Sequence, residues 1–332
     1  MTFEQIMHDL KNKIYKPIYF LMGEEPYYID EITNYIAKNV LAESEKSFNQ
    51  IVMYGKDTDI TLVDNTARRF PMMANHQVII IKEAQNIKKI EDLQYYAQNP
   101  LKSTILVINF KYKTLDKRKK VYKEIEKNGI LFESKKLYDN QVPEWINNFV
   151  KTKNRLIDPV SSILLTDFLG TNLGKIVNEL EKLVIIVPEN EKITPKIIEE
   201  NIGISKDYNN FELQNAIMKK DILKANRIVN YFDKNPKDNP LVVTITSLFF
   251  FFSKILAVHY VKSQDSRVIA AELKVNPFFV KDYIAASKKY DIKKTVEIIS
   301  YLREYDLKSK GVGSVSTTAG ELLKELIFKI LH

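Results

Sequence analysis

The sequence predicts an α/β domain with a parallel sheet over residues 1–140, followed by two all-helical domains over 141–208 and 209–332. Three observations carry this reading. Short apolar runs alternate with helical patterns through the first 140 residues, as expected of parallel strands covered on both faces. Beyond them the strand-like runs stop, and helix starts of the form cap-then-proline recur. A length of 332 residues, 45% hydrophobic and 28% charged, suits two or three ordinary globular domains.

The elements follow in order. Pro17-Ile-Tyr-Phe-Leu-Met22 reads as a strand closed by Gly23, and Pro26 to Val40 as a helix. Phe48 to Tyr54 is a second strand and Leu62 to Arg69 a second helix. Gln77 to Ile81 is the third strand, followed by a helix from Ile87 to Ala97. Thr104 to Asn109 is the fourth, followed by a basic helix from Leu115 to Lys127, and Ile130 to Glu133 is the fifth. In the second domain Val142-Pro143, Asp158-Pro159 and Thr194-Pro195 each start a helix, and Leu173, Ile176, Val177, Leu180, Leu183 and Val184 share one helical face. The third domain is a larger helical array reaching Ile330. Its most apolar segment, Leu241 to Val261, contains four successive phenylalanines, Phe249 to Phe252. Lys254 lies within it, and a central lysine costs roughly 2.5–3.5 kcal/mol in a bilayer. The helical spacing of positions 241, 245, 248, 252, 255 and 259 instead predicts a buried core helix, with Asn239 as cap and Pro240 as first helical residue.

Composition excludes several classes. With no cysteine there are no disulfides and no thiolate-bound zinc, which fits a reducing cytoplasm. The first ten residues lack the basic start and apolar run of a signal peptide. His8, His76, His259 and His332 have no metal-ligand spacing, and no hydrolase motif is present, so no metal, cofactor or catalytic residue is expected. A net charge of +8 leans mildly toward nucleic acid or an acidic partner.

A nucleotide hydrolase built on this plan would hold phosphate after the first strand and magnesium after the third. A phosphate-binding turn needs G-x-x-x-x-G-K-[ST]. Here the turn reads Gly23-Glu24-Glu25-Pro26-Tyr27-Tyr28-Ile29-Asp30, without the lysine or hydroxyl. Glu24 and Glu25 oppose an anion, and both suit the first turn of the helix that follows. At the end of the third strand Lys82-Glu83 stands where Asp-Glu would help hold magnesium, and a lysine cannot do so. The plan of an ATPase is present and its charges are not.

Between the second helix and the third strand lies Phe70-Pro71-Met72-Met73. Loop residues usually face water, and exposed Phe and Met suit insertion into a partner's pocket. They can equally fold back on their own domain, and composition does not decide.

Several stretches together resemble the delta-subunit family of the bacterial DNA polymerase III clamp loader. They are Pro17 to Glu25 with Tyr28, Phe70 to Ile79, Leu115 to Lys123, Asn178-Glu-Leu-Glu-Lys-Leu183, Phe211-Glu-Leu213, Asn276 to Lys281 and Asp306-Leu-Lys308. The resemblance implies a degenerate AAA+-like (RecA-type) clamp-binding domain at 1–140, a helical lid at 141–208 and a helical collar for oligomerisation at 209–332. It implies a non-catalytic subunit of the polymerase III holoenzyme that acts in the cytoplasm during DNA replication. Such a subunit binds the sliding clamp (beta) and helps open it for loading onto primer-template DNA, beside the motor subunits (gamma/tau) and delta-prime. In that family two neighbouring apolar residues before the third strand wedge into a pocket on the clamp. Met72 and Met73 hold that place here, with Phe70 and Pro71 shaping the approach. Many relatives carry Leu-Phe or Phe-Phe there, so Met-Met departs from the commoner pair.

Seven of the thirteen residues from Lys111 to Lys123 are basic. Lys117, Arg118, Lys119 and Lys120, with Lys308 and Lys310 near Gly311, are candidates for contacts with DNA or a neighbouring subunit, or form solvated faces. The stretch 266–290 imitates a helix-turn-helix, which leaves a helical DNA-binding regulator as the alternative function. Its second helix opens with Pro277-Phe278-Phe279 rather than the polar residues a recognition helix needs.

Overall fold

The apolar runs of the first part of the chain become the strands of one parallel sheet. In the computed structural model, which describes every residue except Ile204, Lys206, Gln264, Ser314 and Val315, the strands are β1 (Ile18–Gly23), β2 (Gln50–Tyr54), β3 (Gln77–Lys82), β4 (Thr104–Lys111) and β5 (Ile130–Ser134). Their spatial order is β2-β3-β4-β1-β5, and every pairing is parallel. β1 and β4 run through the middle, with Ile18 opposite Leu106 and Phe20 opposite Ile108. Alternate residues feed two cores. Phe20, Met22, Ile79, Ile81, Leu106 and Ile108 face one layer, and Tyr19, Leu21, Val78, Ile80, Ile105 and Val107 the other. Both faces are therefore dry, which is why the central strands read as unbroken apolar runs.

Helices α1 (Phe3–Lys11) and α2 (Pro26–Asn39) cover one face through Ile6, Leu10, Ile29, Ile32 and Ile36. α3 (Glu43–Asn49) leads into β2. α4 (Ile60–Ala67), α5 (Gln94–Gln98) and α6 (Lys120–Asn128) cover the other through Val63, Ala67, Tyr96, Ala97, Val121 and Ile125. These elements form one compact unit, Met1–Leu137.

Four local expectations need correction. Phe48 and Asn49 end α3 rather than open β2. The helix expected at 87–97 is broken into a 3₁₀ turn at Ile90–Leu93 and the short α5, after Lys89 takes a left-handed φ of 53°. The basic helix begins at Lys120, not Leu115, because the Asp116 carboxylate accepts the Arg118 amide at 2.9 Å and competes with the helical ladder. Glu24 and Glu25 do not lie in the first turn of α2. Glu25 is its cap, and Glu24 precedes it.

The second unit, Tyr138–His332, is helical. It holds α7 (Val142–Thr152), α8 (Pro159–Leu169), α9 (Leu173–Ile186), α10 (Pro195–Ile202), α11 (Asn210–Lys219) and α12 (Ile222–Lys234). α13 (Leu241–Val258), α14 (Ser266–Leu273), α15 (Val280–Lys289), α16 (Ile292–Ser309) and α17 (Ala319–Leu331) follow. Strands β6 (Leu156–Ile157) and β7 (Lys192–Ile193) form one short parallel pair. Asp158 and Thr194 cap α8 and α10 as expected, accepting the amides of Val160 at 3.0 Å and Ile197 at 3.5 Å.

α13 is long and apolar enough to cross a membrane by length and composition. Leu241, Ile245, Leu248, Phe252 and Ile255 are nonetheless buried in the core with α11, α12, α16 and α17. His259, just after α13, meets the Tyr290 carbonyl at 2.9 Å. Pro240 is extended, with ψ 134°, and caps the helix instead of opening it. Asn239 is not the cap, for its side chain donates to the Asn235 carbonyl.

Candidate partner-binding site

Ligands of open α/β sheets bind outside the carboxyl ends of the strands, where the strand order reverses. Here that place is the end of β1, where the last amides of the strand bond to neighbouring backbone. The Gly23 amide donates to the Lys113 carbonyl at 3.1 Å, and the Glu24 amide to the Ser134 carbonyl at 3.0 Å. Both bonds carry the pairing of β1 with its neighbours β4 and β5 past the strand end. Gly23 has φ +121°, and a Cβ there would lie 2.0 Å from the Ser134 oxygen, so only glycine lets the strand end close in this way.

Glu25 is only 4% exposed. It caps α2 by accepting the Tyr27 amide at 3.1 Å. Burial raises its pKa, opposed by that amide bond and by the charge of Lys136. Lys82 ends β3 as an exposed residue with its ammonium 6.0 Å from the Tyr54 ring centroid, and Glu83 turns left-handed at φ 53°. Among the described residues, no group of three or more His, Asp or Glu side chains could hold a metal.

The segment from Arg68 to His76, between α4 and β3, is built differently. It is anchored in three places. At its start, the side-chain Nε2 of the buried Gln77 donates to the Arg69 carbonyl at 2.5 Å and lies 3.3 Å from the carbonyl oxygens of Thr66 and Ala67. Thr104 adds its hydroxyl to the Ala67 carbonyl at 2.8 Å. Together they satisfy carbonyls that the end of α4 leaves open. In the middle, the Asn49 side chain pairs with the backbone of Met72. Its Nδ2 donates to the Met72 carbonyl at 2.9 Å, and its Oδ1 accepts the Met72 amide at 2.7 Å. Near its end, Ala74 packs on the core, and His76 meets the Tyr15 ring edge-on at 5.5 Å.

Between these anchors the apolar side chains point outward. Phe70 is 76% exposed, Met72 62% and Met73 fully exposed, while Pro71 is half-buried. Met73 sits at φ 51°, in the left-handed region a non-glycine residue seldom adopts. Sequence reasoning picked out Phe70, Pro71, Met72 and Met73 but missed Asn49, Gln77 and Thr104. An asparagine inside a presumed strand was the available signal, since strands are poor in that residue.

The basic candidates are mostly paired with near neighbours. Lys117 lies 3.7 Å from Glu133, and Arg118 forms a 2.7 Å pair with Asp116. Lys308 pairs with Glu304 at 2.8 Å over the Tyr305 ring, and Lys310 with Asp306 at 2.6 Å. Lys119 and Lys120 are exposed at the start of α6. In the helix-turn-helix look-alike, Ile269, Ala270, Leu273 and Val280 are buried together and Phe279 is buried, while Pro277 and Phe278 are exposed, so the start of the second helix presents an apolar rather than a polar surface.

The DNA polymerase III, delta subunit family matches residues 19–135, and the family of that subunit's C-terminal domain matches residues 207–326. This chain belongs to the DNA polymerase III delta-subunit family. DNA polymerase III subunit delta of Bacillus subtilis is 26% identical over 322 residues, covering 93% of this chain and 92% of that protein. The solved structure of the Bacillus subtilis DNA clamp loader delta protein matches with a TM-score of 0.56 and 24% identity, covering 99% of each chain. That likeness shows the fold. The AAA+-like sheet domain and the helical remainder are thus those of a delta-family chain, and one family match falls within each compact unit.

Proposed function

We propose that this delta-family chain binds the sliding clamp through Met72 and Met73 and helps open it for loading onto primed DNA. The carrying observation is the pair of exposed methionines on a loop whose backbone is held at Arg69 and at Met72 itself. Burying a large apolar side chain is worth about 1.5–3 kcal/mol. Two methionines therefore supply roughly 3–6 kcal/mol, or about 10²–10⁴ in affinity. Phe70 and Pro71 widen the contact and set its angle.

The chain acts as a lever rather than a motor. Its turn after β1 lacks the lysine and hydroxyl of a phosphate loop, so ATP acts on the motor subunits (gamma/tau), which assemble with this chain and delta-prime through the collar at 209–332. The lid at 141–208 joins that collar to the clamp-binding domain. Rearrangement of the motors presents the loop, and preference for the open ring shifts the clamp toward opening. Lys119 and Lys120, and more weakly the paired Lys117, Arg118, Lys308 and Lys310, meet DNA phosphate or a neighbouring subunit. The test is clamp capture by the purified full chain. Met72→Ser with Met73→Ser is expected to weaken binding at least a hundredfold with thermal stability unchanged. Undiminished capture by the double variant overturns the reading.

A further inference from the structure

We infer that Asn49 is the positioning residue of the clamp-binding loop, an inference that rests on the function proposed for Met72 and Met73. Asn49 ends α3, lies 23 residues before Met72 in the chain, and is only 2% exposed. Its side-chain amide makes three bonds. Oδ1 accepts the Met72 amide at 2.7 Å, and Nδ2 donates to the Met72 carbonyl at 2.9 Å and to the Glu45 carbonyl at 3.1 Å.

The pairing fixes both polar backbone groups of one residue. The two peptide planes that flank Met72 are thereby oriented, and the chain enters Met73 from a set direction. Met73 then holds its left-handed φ of 51° with a fully exposed side chain. A methionine on a free loop would lose more freedom on docking, and pre-fixing the backbone removes that cost before the partner arrives. The geometry selects asparagine. Alanine leaves both Met72 groups unpartnered. Aspartate keeps the acceptor for the Met72 amide but sets a carboxylate against two carbonyl oxygens. A protonated aspartic acid can again accept and donate.

That last property separates positioning from bulk structure. The probes are the full-length chain and purified sliding clamp, with affinity measured from pH 8 to pH 5.5 and each variant compared with the unsubstituted chain at the same pH. Asn49→Ala is expected to bind about tenfold more weakly at every pH, the scale of a lost buried hydrogen-bonded pair. Its Met72 amide should exchange faster with solvent, while the β3 amides stay protected. Asn49→Asp should show a similar loss at pH 8 that shrinks toward pH 5.5. Added to Met72→Ser/Met73→Ser, Asn49→Ala should cost nothing more. Asn49→Ala binding like the unsubstituted chain, while the methionine variant fails, overturns the positioning role alone. A deficit of Asn49→Asp that does not change with pH also overturns it. Full binding by the methionine variant overturns the function on which the inference rests.

Discussion

Glu25 shows how far one residue's environment can depart from its sequence context. In Gly23-Glu24-Glu25-Pro26 the two glutamates look alike, but Glu24 is exposed and Glu25 is a buried cap. The difference arises where the ends of β1 and β5 meet, a contact more than a hundred residues long in the chain, with Gly23 beside Ser134. Local pattern cannot show it. Burial raises the Glu25 pKa above its ordinary value, so the neutral acid is the better-tolerated form. Its stabilising share is complete below the unfolded pKa and is lost as pH rises through the folded one. Glu25→Gln keeps an acceptor for the Tyr27 amide without the charge. Its melting temperature is expected to equal or exceed that of the unsubstituted chain at pH 7–8, and the gap should close in acid. A large loss of stability at pH 7 would show that the charge is needed there.

The loop after α4 belongs to the scale of elements. Its residues were legible as apolar and flanked by turn formers, and the resemblance supplied a role. Their exposure was not legible, because it depends on which distant side chains hold the backbone. Gln77 joins the end of α4 to β4 through the carbonyls of Thr66, Ala67 and Arg69 and the Thr104 hydroxyl. Gln77→Ala removes the bond to the Arg69 carbonyl, while the Thr104 hydroxyl still serves Ala67 and the Arg69 amide still serves Thr66, so it is expected to cost about 1 kcal/mol. Denaturant unfolding should show a lower midpoint with an unchanged slope. Central strands and proline-started helices were the easiest elements to read, since burial on both faces and caps leave local marks. The broken helix at 87–97 was not, because a left-handed Lys89 leaves no trace in hydrophobic spacing. α1 did carry a signal that went unread. Thr2 and Gln5 form a reciprocal capping box at 3.3 and 2.9 Å.

At the scale of the whole molecule, the succession of five strands was legible in the alternation of apolar runs, while α1, α3 and the short β6–β7 pair were not. The turn after β1 lacks the lysine and hydroxyl of a phosphate loop as well, so restoring one charge at Lys82 does not restore a nucleotide site. Titration of the isolated chain with magnesium and ATP is expected to give no binding heat, and Lys82→Asp should not change that. Heat from the variant would mean that charge alone had disabled the fold. The β2–β3 side of the sheet carries the methionine loop.

The absence of cysteine makes that loop directly measurable, because Met73→Cys becomes the sole thiol of the chain. Its rate of maleimide labelling, with and without saturating sliding clamp, reports whether position 73 is covered. Labelling should slow at least tenfold in the complex, while Ile185→Cys, at a position 85% exposed in the helical unit, should label at the same rate in both. Equal labelling of Met73→Cys, free and clamp-bound, would contradict the account.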